Sequence, residues 1–376
     1  MDQVAIIPSG VNQLTTNCFV ASEHYICYTS TLAVYVHANK PPGYPLLRVL
    51  TGPTKPIIAI AYDGEVLCAP CEDRNVFVWE LITGEQLGKT VVDISPLCVA
   101  ASARCLHRVF IGGRDNKISL WLYREGQIMG QTIPAGGDVT CCAFSLNVPN
   151  IVGIGTSTGN FLMYDMQGLR NMKKFDAFES LRTGGFFDKV FGDSPCINDV
   201  AFDPLSDNYV ILASITGYII LVDTEKMAIM HTFDRCNTGV SKVCWVPTQP
   251  GTFLSCDGTT NTIRSWNVSS RVPLTSYRPK NLPIVGCTMV PPANDSCIVG
   301  FDEGSIGVYN MSLKRLEMST LPGHSETVFD VRYSCHDPNV VSSGSFDKTV
   351  KIWITKNMSL ISSINVGGVA YCVDWS

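Results

Sequence analysis

The chain has 376 residues, 45% apolar and only 16% charged, with 31 Gly and 21 Pro, a composition suited to many short strands joined by turns around a sizeable core. Its 28 basic and 33 acidic residues give a net charge of −5, and no basic run exceeds two residues, as at Lys173-Lys174, so a nucleic-acid ligand is disfavoured for want of a clustered cationic face. No stretch reads as a membrane span or an export signal, because MDQVAIIPSG carries Asp2 where a leader would be positive and its apolar run is short.

In chain order, the first short apolar strand is Leu32-Ala33-Val34-Tyr35-Val36, and the position of Tyr35 recurs. It returns as Trp79 in VFVW, Trp121 in KISLW, Tyr164, Val222, Trp266 in NTIRSW, Tyr309 and Trp353 in KTVKIW, at spacings of 44, 42, 43, 58, 44, 43 and 44. A period of 40–45 residues built from short strands predicts a β-propeller of four-stranded blades. A second register moves with the first: Tyr62, Phe144, Phe202, Trp245, Met289, Tyr333 and Trp375, skipping one blade after Tyr62. Between the two lies a third strand, as in EVLCAP, YVILAS and VVSSGS. A polar turn follows it, with Thr29, Asp73, Asp115, Thr158, Thr216, Thr260, Glu303 and Asp347 six residues before the recurring position. Asp and Thr suit a turn whose backbone needs a side-chain partner.

Three features invite sharper chemistry. Cys68-Ala69-Pro70-Cys71 has redox spacing, but it leads into the Asp73 turn and opens no helix that would lower a thiol pKa. Sixteen cysteines scattered through strands read as small buried hydrophobes of a reducing compartment. Zinc is disfavoured, because the six histidines, His24, His37, His107, His231, His324 and His336, lack ligand spacing. Gly84-Glu85-Gln86-Leu87-Gly88-Lys89-Thr90 falls one residue short of a phosphate loop, and Thr83-Gly84 reads as a hairpin turn. The spacing of 58 reflects an insertion at 167–195, rich in aromatic and basic residues. Within it Phe186, Phe187 and Phe191, flanked by Arg182 and Lys189, are candidate anchors for a protein partner; the alternative is that they fold onto their own blade.

The best-formed repeat is GHSETVFDVRYSCHDPNVVSSGSFDKTVKIW, residues 323–353. Its Gly323-His324, Ser343-Gly344-Ser345, Asp347 and Trp353 resemble the motif of the WD-repeat family. That resemblance implies a structural hydrogen-bonded tetrad of His324, Ser343 (or Ser345, on the same strand face), Asp347 and Trp353, since buried polar groups need partners. A Ser/His/Asp set also suggests a hydrolase, but this Ser lies in a strand and not on a strained strand-to-helix turn.

Further motifs resemble, in order and over most of the chain, the amino-terminal region of the WD repeat-containing protein seventeen family. They are Leu32–Val36, Asp203-Pro204-Leu205-Ser206, Trp245-Val246-Pro247, Pro250-Gly251, Trp266-Asn267-Val268-Ser269, Gly304–Tyr309 and Gly323–Thr327. Members are large intracellular proteins, laid out like propeller-bearing components of ciliary transport with two propellers and then helical repeats. The chain departs from that plan at Ser376, where GGVAYCVDWS reads as the first strand of another blade, so an incomplete reading frame, a split gene or a partial chain is expected.

The expected fold is all-β: a WD-repeat propeller of seven blades over 1–322, then a further blade and the first strand of the next over 323–376. One eight-bladed ring is the alternative, and Val4-Ala5-Ile6-Ile7 is a candidate closing outer strand. The expected function is a non-enzymatic scaffold for protein partners, without cofactor or metal, in the cytoplasm. The resemblance implies a cilium or flagellum axoneme, with tubulin or axonemal and ciliary transport components as partners. Two alternatives stand: a channel-mouth enzyme, and a module for phosphorylated or acidic peptides using Arg74, Arg114 and Arg264 near comparable turns.

Overall fold

The computed structural model describes residues 9–11, 17–41, 44–102, 105, 107–133, 136–168, 170–177, 196–257, 260–293, 295–302, 304–319, 323–356 and 359–376. These residues form 32 strands and no α-helix, arranged as eight antiparallel sheets of four consecutive strands each. The sheets are numbered here as blades 1 to 8, over 19–50, 61–91, 96–132, 139–176, 197–232, 242–277, 284–319 and 328–365. Middle strands such as β6 (Val66–Pro70) and β18 (Tyr209–Ser214) read as near-continuous apolar runs because both faces of the sheet are covered. Outer strands such as β12 (Gln127–Thr132) are largely exposed and polar.

Blades meet face to face, and the fit is set by glycines. A Cβ on Gly112 of blade 3 would stand 2.4 Å from Val139 of blade 4, and one on Gly155 of blade 4 would stand 2.7 Å from Ile197 of blade 5. At Gly300 of blade 7 the atom met is Phe19 of blade 1, at 2.5 Å. The ring therefore closes on itself after seven blades. Strand β1 (Phe19–Ala21) lies against β25 (Ile284–Met289), and one core cluster joins Phe19, Ile26 and Tyr28 to Ile298, Ile306 and Val308. This contact rules out the single eight-bladed ring, because blade 8 has no place between blades 7 and 1. It touches the ring at its rim, where Gly10 N donates to His324 O at 2.8 Å and Thr31 Oγ1 donates to Ser325 O at 3.0 Å. Val4–Ile7 lies outside the described residues.

Four sequence expectations need correction. In blade 1 the recurring position is His37, not Tyr35: His37 pairs with Ile26 as Trp79 pairs with Leu67, and each sits at its strand's register shift. The hairpin turn of blade 1 is one residue shorter, with Ser30 N bonded to Ala33 O where Cys71 N reaches Asn75 O, so a count along the chain slips. Thr29 consequently ends strand β2 (Tyr25–Thr29) in place of making the turn. The blade skipped by the second register has its inner strand, β9 (Pro96–Ala101), but Ala101 stands opposite Val109 where an aromatic residue was sought. Finally, the first part of the 167–195 insertion is the outer strand β16 (Arg170–Asp176) of blade 4, with Phe175 packed on the core of blades 4 and 5.

His37 is buried, with Nδ1 on the Tyr44 carbonyl and Nε2 without a partner. Burial lowers its pKa below 6.5, opposed by the Tyr44 carbonyl, so the folded state favours the neutral ring. The stability this confers is present above pH 6.5 and falls as pH drops. The denaturation midpoint is expected to decline between pH 7 and 5, and His37→Gln to flatten that slope. Gly300→Val should force Phe19 aside at the ring closure and cost about 1–3 kcal/mol, read as a lower midpoint in urea unfolding.

Candidate functional site

The most organised polar constellation lies in blade 8. Strands β30 (Val340–Ser345) and β31 (Thr349–Ile354) pair Val341 with Trp353, which leaves Ser343, two residues on, facing the indole. Trp353 Nε1 donates to Ser343 Oγ at 2.9 Å, and Ser343 Oγ lies 2.7 Å from His324 Nε2. His324 Nδ1 is 2.9 Å from Asp347 Oδ2, which also accepts from Ser325 N at 3.1 Å. Asp347 Oδ1 accepts from Thr349 N and Oγ1 at 2.9 and 2.6 Å, closing the hairpin turn. Ser345 stands apart from this chain and accepts from Asp347 N at 3.2 Å. A neutral imidazole satisfies every group if Nδ1–H donates to Asp347 and Ser343 O–H donates to Nε2.

Burial would raise the Asp347 carboxyl, but hydrogen bonds from His324 and Thr349 outweigh it and hold the group well below the usual carboxylate range. The three residues reproduce the connectivity of a hydrolytic triad without its chemistry. Ser343 sits in mid-strand, paired with Val331 and Lys351, and its oxygen already accepts the indole N–H.

Other blades keep fragments of this arrangement. In blade 6 Trp266 Nε1 donates to Ser255 Oγ at 2.9 Å, and the turn is anchored by Asp257, which is fully buried. Asp257 Oδ2 accepts from Thr260 Oγ1 at 2.7 Å, from Arg264 Nη1 at 3.2 Å and from Thr238 Oγ1. Spacing alone points to Thr260; the available signal was Ser255-Cys256-Asp257, which aligns with Ser343-Gly344-Ser345 and puts a carboxylate in the last place. In blade 3 Ile111 occupies the Ser343 position, and the buried Trp121 Nε1 has no partner.

The remaining expected site residues separate. Asp73 Oδ1 accepts from Asn75 N at 3.1 Å, as Asp347 does from Thr349, whereas Asp115 is left-handed (φ 58°) and its own amide donates to Asp138 Oδ1 at 2.9 Å. Glu303 and the proposed anchors Arg182, Phe186, Phe187, Lys189 and Phe191 lie outside the described residues. Arg74 and Arg114 are exposed, but Arg264 is committed to Asp257 and is withdrawn from any acidic ligand. Cys68 and Cys71 are fully buried; burial, with Asp73 nearby, pushes the Cys71 thiol up to about 12, which makes it a poor nucleophile.

Thr83-Gly84 makes the β7–β8 hairpin between β7 (Asn75–Glu80) and β8 (Gln86–Val91), with Gly84 at φ 79°. Gly155-Thr156-Ser157-Thr158-Gly159 has the spacing of a nucleophile elbow. It forms the hairpin after β14 (Ile151–Thr156), and strand β15 (Asn160–Asp165) follows it, not a helix. Among the described residues no His, Cys, Asp or Glu cluster has metal-holding geometry, and no helix is long and apolar enough to cross a membrane.

Comparison with known proteins agrees with the fold. Residues 316–353 match the WD40 family described as "WD domain, G-beta repeat". The match begins on the outer strand β28 (Arg315–Ser319) of blade 7 and ends at Trp353, so the sequence repeat is offset from the blade. Human "Kinesin-like protein KIF21A" is 21% identical over 339 residues, 84% of this chain and 19% of that protein, so the chain spans about a fifth of its relative's length. The crystal structure of the computationally designed Ika8 protein aligns with a TM-score of 0.59 at 19% identity, covering 92% of this chain and 100% of that one, a likeness of fold alone. The chain thus carries a WD40 repeat on a β-propeller, an architecture that serves as a protein-interaction scaffold.

Trp353→Ala should remove a packed indole and leave Ser343 short of a partner, costing on the order of 3–5 kcal/mol, whereas Asp347→Ala should cost about 1–3 kcal/mol. Because the Asp347 carboxyl is depressed, its contribution is present above its ordinary value of 3.8 and is lost as pH falls through the lower folded value. Hydrogen exchange in blade 8 should therefore quicken on acidification below pH 4 in the wild type and change less in Asp347→Ala.

Proposed function

We propose that the protein is a non-enzymatic WD-repeat scaffold in an intracellular assembly of ciliary or microtubule-associated character. Its partners are proteins, tubulin or axonemal and ciliary transport components among them. The observation that carries the scaffold reading is the tetrad of His324, Ser343, Asp347 and Trp353: polar groups that could perform chemistry are consumed in holding a blade together. The finer context is supported by the ordered motifs shared with the WD repeat-containing protein seventeen family and by likeness to a kinesin-like protein.

In this reading residues 1–322 are a seven-bladed propeller and 323–376 begin a second one. The chain's last residues support the division. Val373 N donates to Asp330 Oδ2 at 3.2 Å and Trp375 Nε1 to Arg332 O at 3.1 Å. Within the ring, blade 6 meets blade 5 through the same pair of bonds, Val243 N to Asp199 Oδ2 at 2.8 Å and Trp245 Nε1 to Ala201 O at 2.9 Å. The segment after Gly367 therefore stands where the inner strand of a following blade stands.

Tagged protein purified from ciliated cells should co-purify reproducibly with axonemal or transport proteins, and purified protein should pellet with polymerised tubulin in a salt-sensitive manner. Recovery without such proteins, together with a clean supernatant in the pelleting assay, would remove the ciliary and microtubule part and leave the scaffold.

A further inference from the structure

We propose that Cys244 is a thiol-oxidation site at the boundary of blades 6 and 7, where a hydroperoxide converts it and Cys287 into a disulfide that ties the two blades together. The fold brings together cysteines that lie one repeat apart in sequence. Cys244 is on β21 (Lys242–Trp245), the inner strand of blade 6, and Cys287 is on β25, the inner strand of blade 7. The two strands pack against each other, and the thiols meet across the boundary in hydrogen-bonding contact. Cys256 of β22 (Thr252–Asp257) also touches Cys287, and all three belong with Cys297 to one core cluster.

Three features single out Cys244 within that cluster. It keeps partial exposure, whereas Cys256, Cys287 and Cys297 are buried, so an oxidant from solution reaches it first. Lys242 stands two residues before it, on the same face of β21 by strand alternation. Asp199 Oδ1, 3.0 Å from Lys242 Nζ, fixes that ammonium at the wall of a cavity of about 460 Å³ lined by inner strands of the ring. Finally, the Cys287 thiol donates to the Cys244 sulfur. That bond, helped by Lys242 and opposed by burial and Asp199, holds the Cys244 thiol below its ordinary 9.0, while the same contact pushes Cys287 well above it.

The ring carries its own comparison. Cys98 of β9 and Cys142 of β13 (Val139–Phe144) meet in the same way across blades 3 and 4. There burial and the Cys98 contact push the Cys142 thiol well above its ordinary value, so that pair lacks the thiolate that attacks a peroxide. At Cys244 the thiolate attacks one oxygen of the hydroperoxide and the O–O bond breaks. The leaving oxygen takes up the proton that Cys244 gave up, yielding water or an alcohol and a sulfenic acid. The Cys287 sulfur then attacks the Cys244 sulfur, the S–O bond breaks, and hydroxide leaves with the Cys287 proton as water. Two electrons pass from the thiols to the peroxide, and a small-molecule thiol reverses the link by exchange.

The test uses the full chain with Cys335→Ser and Cys372→Ser, which remove the exposed thiols. It is reduced, treated with hydrogen peroxide at neutral pH, alkylated, and digested with trypsin without reductant. Peptides 243–264 and 281–314 should be recovered joined, with fragmentation placing the bond between Cys244 and Cys287. Its yield should exceed that of a Cys98–Cys142 link about tenfold, the ratio of thiolate that one unit of pKa gives. Dithiothreitol should abolish it, and Cys287→Ala should leave a sulfenic acid on Cys244 that dimedone traps. The oxidised chain should also unfold at a higher urea concentration than the reduced one. A bond between Cys256 and Cys287, a Cys98–Cys142 link of equal yield, or Cys244 recovered as a free thiol would overturn the inference.

Discussion

Everything in this molecule follows from the need of a four-stranded sheet to be covered on both faces. A blade with apolar middle strands on two sides cannot stay folded by its own hydrogen bonds, so each borrows its neighbours, and stability is shared around the ring. The borrowing is specific. Glycines at 112, 155 and 300 let the next blade's inner strand approach to contact, while Val139, Ile197 and Phe19 fill the space a Cβ would need. Closure then requires that the last such face meet the first blade, and Gly300 against Phe19 is that meeting, between residues 281 positions apart in sequence.

Polar satisfaction is a second constraint, and the blades meet it unequally. Blade 8 carries the full chain from indole to carboxylate; blade 6 keeps the indole–hydroxyl bond and substitutes a buried Asp257 held by Thr238, Thr260 and Arg264. Blade 3 has lost the hydroxyl to Ile111 and leaves an indole N–H unpaired, at a cost of about 1–3 kcal/mol. That blade persists because its Trp121 packs into a cluster with Val76, Val78 and Val92 of its neighbour. Inside a closed ring, packing can carry a blade whose hydrogen-bond chain is broken.

This inequality explains which features spacing could reveal. The period of about 43 residues and the strands around Trp79, Trp121, Trp266 and Trp353 were legible because indoles stand out and the intervening hairpins keep a constant length. His37 was not, since a turn shorter by one residue shifts the count and Tyr35 offers a more conspicuous ring two places earlier. Inner strand β9 was hidden by Ala101, where the covering bulk is absent, and Asp257 by the convention of looking for the turn acid six residues before the Trp. The number of blades in the ring was illegible for a different reason. Eight similar repeats fit a ring of eight or a ring of seven with one beyond it, and only the contact of β1 with β25 decides.

The repeat closest to the family motif is the one that the ring does not cover, and the two facts are connected. The bonds among His324, Ser343, Asp347, Thr349 and Trp353 are internal to blade 8 and its leading loop, so they persist whatever lies against its faces. Each contributes about 1 kcal/mol net, while an exposed Val or Tyr forgoes about 1.5–3 kcal/mol of burial. With Val328, Val331 and Tyr333 uncovered, the polar chain is the part of the blade's stability that needs no neighbour.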